Sequence, residues 1–177
     1  MPINMKPYCV VVIITLCLFS GIAVAQKKSP VSFRLGATVS FGLNHIAQND
    51  VGLGGLAAVE KRVTSHVAVE ANLEYHYFTG DKTTYAEGKN KAFAIPALAG
   101  FKFYPVSNIY GALRTGAIYF LLNDLTAAKI RMAYGAAAGI NLPKKTNRVN
   151  LQLGYTGFRY EGIGRGYTTL AAAIIIN

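Results

Sequence analysis

Ser32–Asn44 reads SFRLGATVSFGLN. Phe33, Leu35, Ala37, Val39, Phe41 and Leu43 are apolar. Ser32, Arg34, Gly36, Thr38, Ser40, Gly42 and Asn44 between them are small, polar or charged. A period of two places the two sets on opposite faces of a strand. The pattern recurs downstream. Val67, Val69, Ala71, Leu73, Tyr75 and Tyr77 alternate with Ala68, Glu70, Asn72, Glu74 and His76, and Ile130–Leu142 alternates in the same way. Eight such segments are expected, at about 31–44, 51–64, 66–79, 92–105, 108–122, 129–142, 148–160 and 166–177. The phase is uncertain in the Gly/Ala-rich second, fifth and eighth segments. A phase slip near Thr156-Gly157 predicts a bulge. Pro96 cannot donate to a ladder, so it predicts a bulge or a locally broken hydrogen bond in strand four.

The N-terminus has a different grammar. Lys6 precedes an apolar run from Tyr8 to Val24, which ends in Ala23-Val24-Ala25 before Gln26. That order is a charged start, an apolar core and an A-x-A cleavage site, so residues 1–25 are expected to be a cleaved signal peptide and 26–177 the mature domain. An uncleaved helical anchor is the competing reading, but the run is short for a span. Lipid attachment at Cys17 is disfavoured because Ile14-Thr15-Leu16 supplies no small residue before it. Both cysteines, Cys9 and Cys17, lie in this leader, which leaves the mature chain without a disulfide or a thiolate metal site.

The precursor carries a formal charge of +10. The cations are scattered and follow a secretory leader. Anionic lipid head groups and lipopolysaccharide phosphates therefore fit them better than nucleic acid does. Charged residues make up 15% of the chain, against about 25% in ordinary soluble domains. No apolar helical run exists beyond residue 25, so any spanning must be done by strands. Together these features predict an all-β protein: an eight-stranded antiparallel up-and-down transmembrane β-barrel behind a signal peptide. Short connections at Thr64-Ser65, Pro105–Asn108 and Pro143–Asn147 alternate with longer or irregular ones at His45–Asp50, Thr79–Lys91, Asn123–Ala127 and Glu161–Arg165. Short turns face the periplasm in this class. Tyr75, Tyr77, Phe78, Phe101, Phe103, Tyr104, Tyr110, Tyr119, Phe120, Phe158, Tyr160 and Tyr167 gather near strand ends, where interfacial girdles sit.

Alternation does not itself say which face is wet. A soluble lipocalin-like carrier would put the apolar face inside, whereas a membrane barrel inverts this. The polar face is mostly Gly, Ser, Thr and Ala with a few long charges, which suits a narrow lumen better than a water-exposed surface. On that basis Arg34, Glu60, Arg62, Glu70, Glu74, His76, Lys102, Arg114 and Arg131 are the expected lumen charges, paired into a plug because an unpaired buried charge costs several kcal/mol. A gated ion path along the same residues is the functional alternative. Thr79–Lys91 is the longest connection, and Lys82, Lys89 and Lys91 in it are the expected contacts for lipopolysaccharide or an external ligand or protein.

The segment Phe93-Ala94-Ile95-Pro96-Ala97-Leu98-Ala99-Gly100-Phe101-Lys102-Phe103, the Ala-Gln cleavage site and the eight strands together resemble the outer-membrane β-barrel domain family, small porin-like barrels of Bacteroidetes-type bacteria. In that family an Ile-Pro-hydrophobic stretch recurs in the fourth strand. The resemblance covers about 30–177. It implies an outer-membrane location, and it assigns no chemistry to most members. The ending Ile174-Ile175-Ile176-Asn177 lacks the usual terminal aromatic.

Enzymatic constellations are sparse, and the expectation is a protein without catalytic residues, cofactor or metal. Ser65 and His66 are adjacent, and neighbouring strand residues point to opposite faces, which disfavours a Ser–His pair. His76 and Glu74 share a face, but no serine is obvious beside them. A lipid A-modifying barrel enzyme is therefore the weakest of the three functional classes. His45, His66 and His76 are too scattered for metal-ligand spacing. The glycines at 52–55 and 162–166 do not open helices, so they are wall or turn positions rather than phosphate loops.

Overall fold

The computed structural model describes residues 31–43, 51–79, 91–122, 129–142, 148–160 and 162–176. All eight periodic segments are strands: β1 (Val31–Leu43), β2 (Val51–Arg62), β3 (Val67–Thr79), β4 (Lys91–Val106), β5 (Ile109–Leu122), β6 (Lys129–Leu142), β7 (Arg148–Tyr160) and β8 (Ile163–Ile176). Each pairs antiparallel with its chain neighbours. β1 also pairs with β8, closing an up-and-down barrel with no free sheet edge. Strands of 12 to 16 residues exceed the roughly 9–11 that a tilted strand needs to cross a bilayer.

The register decides the faces. Arg34, Thr38, Ser40, Glu60, Glu70, Glu74, His76, Lys102, Arg114, Asn150 and Gln152 are buried inside the barrel. Large apolar side chains cover the outside: Leu113 is 71% exposed, Ile130 69% and Phe101 66%. A water-soluble carrier requires the reverse arrangement, so the lipocalin-like alternative is set aside. An apolar exterior on every strand calls for hydrocarbon as the surrounding solvent.

Two local expectations are corrected, at Thr156-Gly157 and at the start of β8, and the locally broken ladder expected at Pro96 is present. The β6–β7 and β7–β8 ladders run through Thr156 and Gly157 without a register shift, so no bulge lies there. The apparent slip arises because Phe158 and Tyr160 are apolar yet face inward, as Thr156 does. Pro96 leaves the β3–β4 register intact. Pairing is interrupted opposite Glu74 and Tyr75, and it continues from Pro96 to Ile118 on the β5 side. The one register shift in β4–β5 falls between Phe103 and Val106, next to Pro105. Finally, Tyr160 pairs with Ile163, so β8 begins earlier than expected. Gly162, with φ 80°, lies in the connection.

The aromatic residues also divide differently from a simple girdle. Phe101, Phe103, Tyr75 and Tyr119 face outward, whereas Phe78, Tyr104, Tyr110, Phe120, Phe158, Tyr160 and Tyr167 are buried in the lumen. Nearness to a strand end does not set direction; strand parity does. The lumen consequently has two storeys. Near the β2–β3 and β4–β5 turns it is charged and polar. Toward the other end, Phe78, Phe120, Phe158, Tyr160 and Tyr167 form an apolar cluster with Ala92, Ala94, Leu98, Ile118 and Ala133.

Candidate functional site

The polar storey is built around Glu70 on β3. Arg34 Nη2 donates to Glu70 Oε2 at 2.6 Å, and Arg114 Nε donates to Glu70 Oε1 at 2.6 Å. Lys102 Nζ lies 3.2 Å from Glu70 Oε2 and 2.8 Å from Glu60 Oε2. Glu60 and Glu70 are direct cross-strand partners, a pairing that is repulsive by itself. Lys102, from β4, bridges the two carboxylates and turns the repulsion into a shared site. Tyr104 Oη also donates to Glu60, at 2.6 Å. Arg34 Nη1 further donates to Asn150 Oδ1 at 3.1 Å, and Arg114 Nη2 to Gln152 Oε1 at 2.9 Å. Lys102 sits 4.0 Å from the Tyr110 ring centroid, a cation–π contact between two buried side chains.

Small residues on intervening strands make these reaches possible. Glu70, Gly100 and Arg114 lie in one row across β3, β4 and β5. A Cβ at Gly100 would lie 2.8 Å from Arg114 Cα and collide with the Leu113 carbonyl, so only glycine lets Arg114 cross β4. Thr38, Gly54 and His76 form the equivalent row across β1, β2 and β3.

That second row carries a chain sequence reasoning missed. Ser40 Oγ lies 2.8 Å from His76 Nδ1, and His76 Nε2 lies 2.8 Å from Glu74 Oε2. Thr38 Oγ1 is 3.4 Å from the same Nδ1, and Asn72 Nδ2 donates to Glu74 Oε1 at 2.9 Å. A serine does sit beside His76 and Glu74; it comes from β1, two strands away, where linear sequence shows no proximity. Its Oγ is shared with Thr169 at 3.3 Å, and Ser40 and His76 are both fully buried. The order Ser–His–Glu is that of a nucleophilic triad, but a carbonyl substrate needs open space within about 3.5 Å of the nucleophile. The observed contacts instead tie β1 to β3 across the glycine strand. A Cβ at Gly54 would meet Thr38 Oγ1 at 2.8 Å and clash with the Tyr75 carbonyl. Gly54→Val is therefore expected to destabilise the barrel by about 1–3 kcal/mol or more, measured as a lower urea midpoint in lipid vesicles.

Ser65 and His66 do pair, with Oγ 2.8 Å from Nδ1. They lie in the exposed turn rather than in a strand, so the opposite-face rule does not apply to them. Of the expected lumen charges, Arg34, Glu60, Glu70, Glu74, His76, Lys102 and Arg114 meet in the network. Arg62 stands at its rim, 4.0 Å from Glu60 Oε1 and 4.3 Å above the Tyr104 ring. Arg131 does not join. It shares the inward parity but lies at the opposite, apolar end, where it donates to the Ile130 carbonyl at 3.1 Å and has no acidic partner among the described residues. Asn72, Tyr104, Tyr110, Asn150 and Gln152 also line the lumen; Asn72 shares parity with Glu70 and Glu74, Tyr104 with Lys102 and Tyr110 with Arg114, whereas β7 offers no inward charge to mark Asn150 and Gln152. Lys91 is exposed at the start of β4; Lys82, Lys89, His45 and residues 1–25 lie outside the described residues. Those described residues contain no group of three or more His, Cys, Asp and Glu side chains arranged to hold a metal ion.

A closed eight-stranded barrel with an apolar exterior and a filled, polar-to-aromatic lumen defines a small outer-membrane β-barrel protein. Solved structures of similar fold agree. Neisserial surface protein A (NspA) superposes with a TM-score of 0.58 at 12% identity, covering 82% of this chain and 96% of that one. Ail, the attachment invasion locus protein of Yersinia pestis, gives 0.56 at 12% identity, covering 85% and 100%. The N-terminal barrel domain of Pseudomonas aeruginosa OprF gives 0.53 at 14% identity, covering 85% and 100%. No protein-family profile and no curated protein matches the sequence.

Proposed function

We propose that this protein is a non-enzymatic, non-conducting barrel whose turn end faces the periplasm and whose longer connections present a contact surface to the outside. The resemblance of Phe93–Phe103, with the Ala-Gln cleavage site and the eight strands, to small porin-like barrels of Bacteroidetes-type bacteria supports the barrel fold and outer-membrane location that this reading needs. The observation that carries it is the filled lumen. A fully paired ionic storey lies beneath an aromatic storey in a barrel only wide enough for side chains. Purified protein in planar bilayers is expected to give no stepwise conductance above the bare membrane. Discrete openings would restore the ion-path reading.

Anionic glycans are the favoured partner class. Lys82, Lys89 and Lys91 place three cations, against Asp81 and Glu87, in and beside the longest connection. Ail has been solved in complex with sucrose octasulfate, a heparin analogue. Replacing the three lysines by alanine is expected to weaken retention on lipopolysaccharide-coated and sulfated-glycan surfaces. Unchanged retention would remove these residues from the contact. The burial of Ser40 supports the absence of acyl-transfer chemistry, so a fluorophosphonate probe is expected to leave Ser40 unlabelled in the folded barrel.

A further inference from the structure

Three outward positions near the β7–β8 connection are glycines. Gly157 and Gly166 are direct cross-strand partners, and Arg159 and Gly164 are the next outward pair toward the connection. Parity fixes the side. Phe158 and Tyr160 point into the lumen, so Gly157 and Arg159 face outward; Arg165 and Tyr167 do the same for Gly164 and Gly166.

Two tyrosines use the space. Tyr134 on β6 is the partner of Gly157, and a Cβ at Gly157 would lie 2.8 Å from Tyr134 Oη. Tyr155 is the partner of Thr168 but leans toward the connection, since a Cβ at Gly166 would lie 2.6 Å from Tyr155 Oη. The two rings are 6.3 Å apart. Both hydroxyls therefore end over one glycine pair, and the next outward side chain along β7 is Arg159. Arg159 is exposed and makes no hydrogen bond, ion pair or ring contact with the described residues. A Cβ on its partner Gly164 would meet nothing within 4 Å, so that flank of the arginine is open. In the other direction the next outward residue after Tyr155 is Leu153. There an apolar groove of about 670 Å³ begins on the outer wall, lined by Leu153, Leu170, Ala138 and Ala172 among others.

We propose that Arg159, Tyr134 and Tyr155 form an outer-wall seat for a phosphorylated glycolipid of the outer leaflet, of the lipid A class. The phosphate meets Arg159, sugar hydroxyls meet the two phenols, and an acyl chain follows the groove that starts at Leu153. The site rests on the orientation proposed above, with the β7–β8 connection outside. The order of chemistry along β7 matches that of the lipid. A guanidinium presents paired N–H donors to phosphate oxygens. A phenol both donates and accepts, as a sugar hydroxyl does, and tyrosine is at home at head-group depth. The seat is separate from the lysine-bearing connection, because Lys91 stands on β4, three strands away.

Native mass spectrometry of the full barrel in detergent, with equal amounts of diphosphoryl lipid A and phosphatidic acid, tests this. Wild type should retain lipid A preferentially. Arg159→Ala should weaken lipid A retention about fivefold, the worth of one cation at a membrane surface. The double variant Tyr134→Phe, Tyr155→Phe keeps both rings over the glycines and removes the hydroxyls, so it should erase the preference while phosphatidic acid retention stays unchanged. Arg148→Ala, at the other end of the barrel, should change neither lipid. Heat-modifiable migration on gels checks that each variant is folded. Equal retention of the two lipids by wild type, undiminished lipid A retention in folded Arg159→Ala protein, or an intact preference in the tyrosine double variant would overturn the proposal. So would lipid A binding that appears only after Glu161→Gln, because the chain's own acid would then fill the seat. Orientation is read separately: Ser65→Cys should react with an impermeant maleimide only after cells are permeabilised. Labelling in intact cells would overturn the orientation and the lipid seat together, whereas failed lipid retention with the expected labelling would overturn the seat alone.

Discussion

Glu70→Ala is expected to cost about 3–5 kcal/mol and to abolish the compact, heat-modifiable form of the barrel. Glu70 is the acceptor for Arg34 and Arg114 at 2.6 Å and lies 3.2 Å from Lys102. Removing it leaves three buried cations facing one another. Glu60 still holds Lys102, but neither arginine has another acid within 3 Å. Equilibrium urea unfolding in vesicles, followed by tryptophan-free far-UV circular dichroism, gives the free-energy difference. Glu70→Gln separates charge from shape. It keeps the hydrogen-bond acceptor and loses the carboxylate, and it should remain destabilised by most of the same amount. A Glu70→Ala barrel as stable as wild type would mean that water enters and compensates the cations, and a sealed lumen would then be untenable.

Leu73→Arg should destabilise insertion by about 2–4 kcal/mol, the expected range for a cation near the bilayer midplane. Leu73 lies at the centre of β3 and is 52% exposed on the outer wall. Its neighbour Asn72 points inward and donates to Glu74. Asn72→Ala removes one hydrogen bond to a charged group, so its cost should be smaller, about 1–3 kcal/mol. The contrast between adjacent residues reports which solvent each face meets. Equal tolerance of Leu73→Arg and Leu73→Ala in folding assays would show that the apolar face does not contact hydrocarbon.

The outward face was legible because strand geometry converts a period of two directly into sidedness. Phe33, Leu35 and Val39 needed no partner to be placed on one face. Strand count and most boundaries followed for the same reason. Arg34 on β1 and Glu70, Glu74 and His76 on β3 were legible as lumen charges because alternation there is unbroken, whereas Glu60, Arg62 and Arg114 sit on Gly/Ala-rich strands whose phase only pairing fixes. Arg131 shows where that logic ends. Parity sent it inward but could not say that its end of the lumen is lined by Phe120, Phe158 and Tyr160 rather than by carboxylates. The slip expected at Thr156-Gly157 is absent for a related reason: hydrophobicity does not mark the face where the lumen changes from polar to aromatic along its axis.

Sequence alone determined eight strands, each with one apolar and one polar face, because a two-residue repeat fixes sidedness whatever the partners; that the apolar face is the outer one rests on the burial of the polar face in the closed sheet. Tertiary structure alone decided who meets whom inside. Barrel closure and strand stagger bring Ser40 to His76 and Arg114 to Glu70 across glycine-bearing strands. Those meetings depend on register between strands far apart in the chain, a quantity that no local pattern encodes.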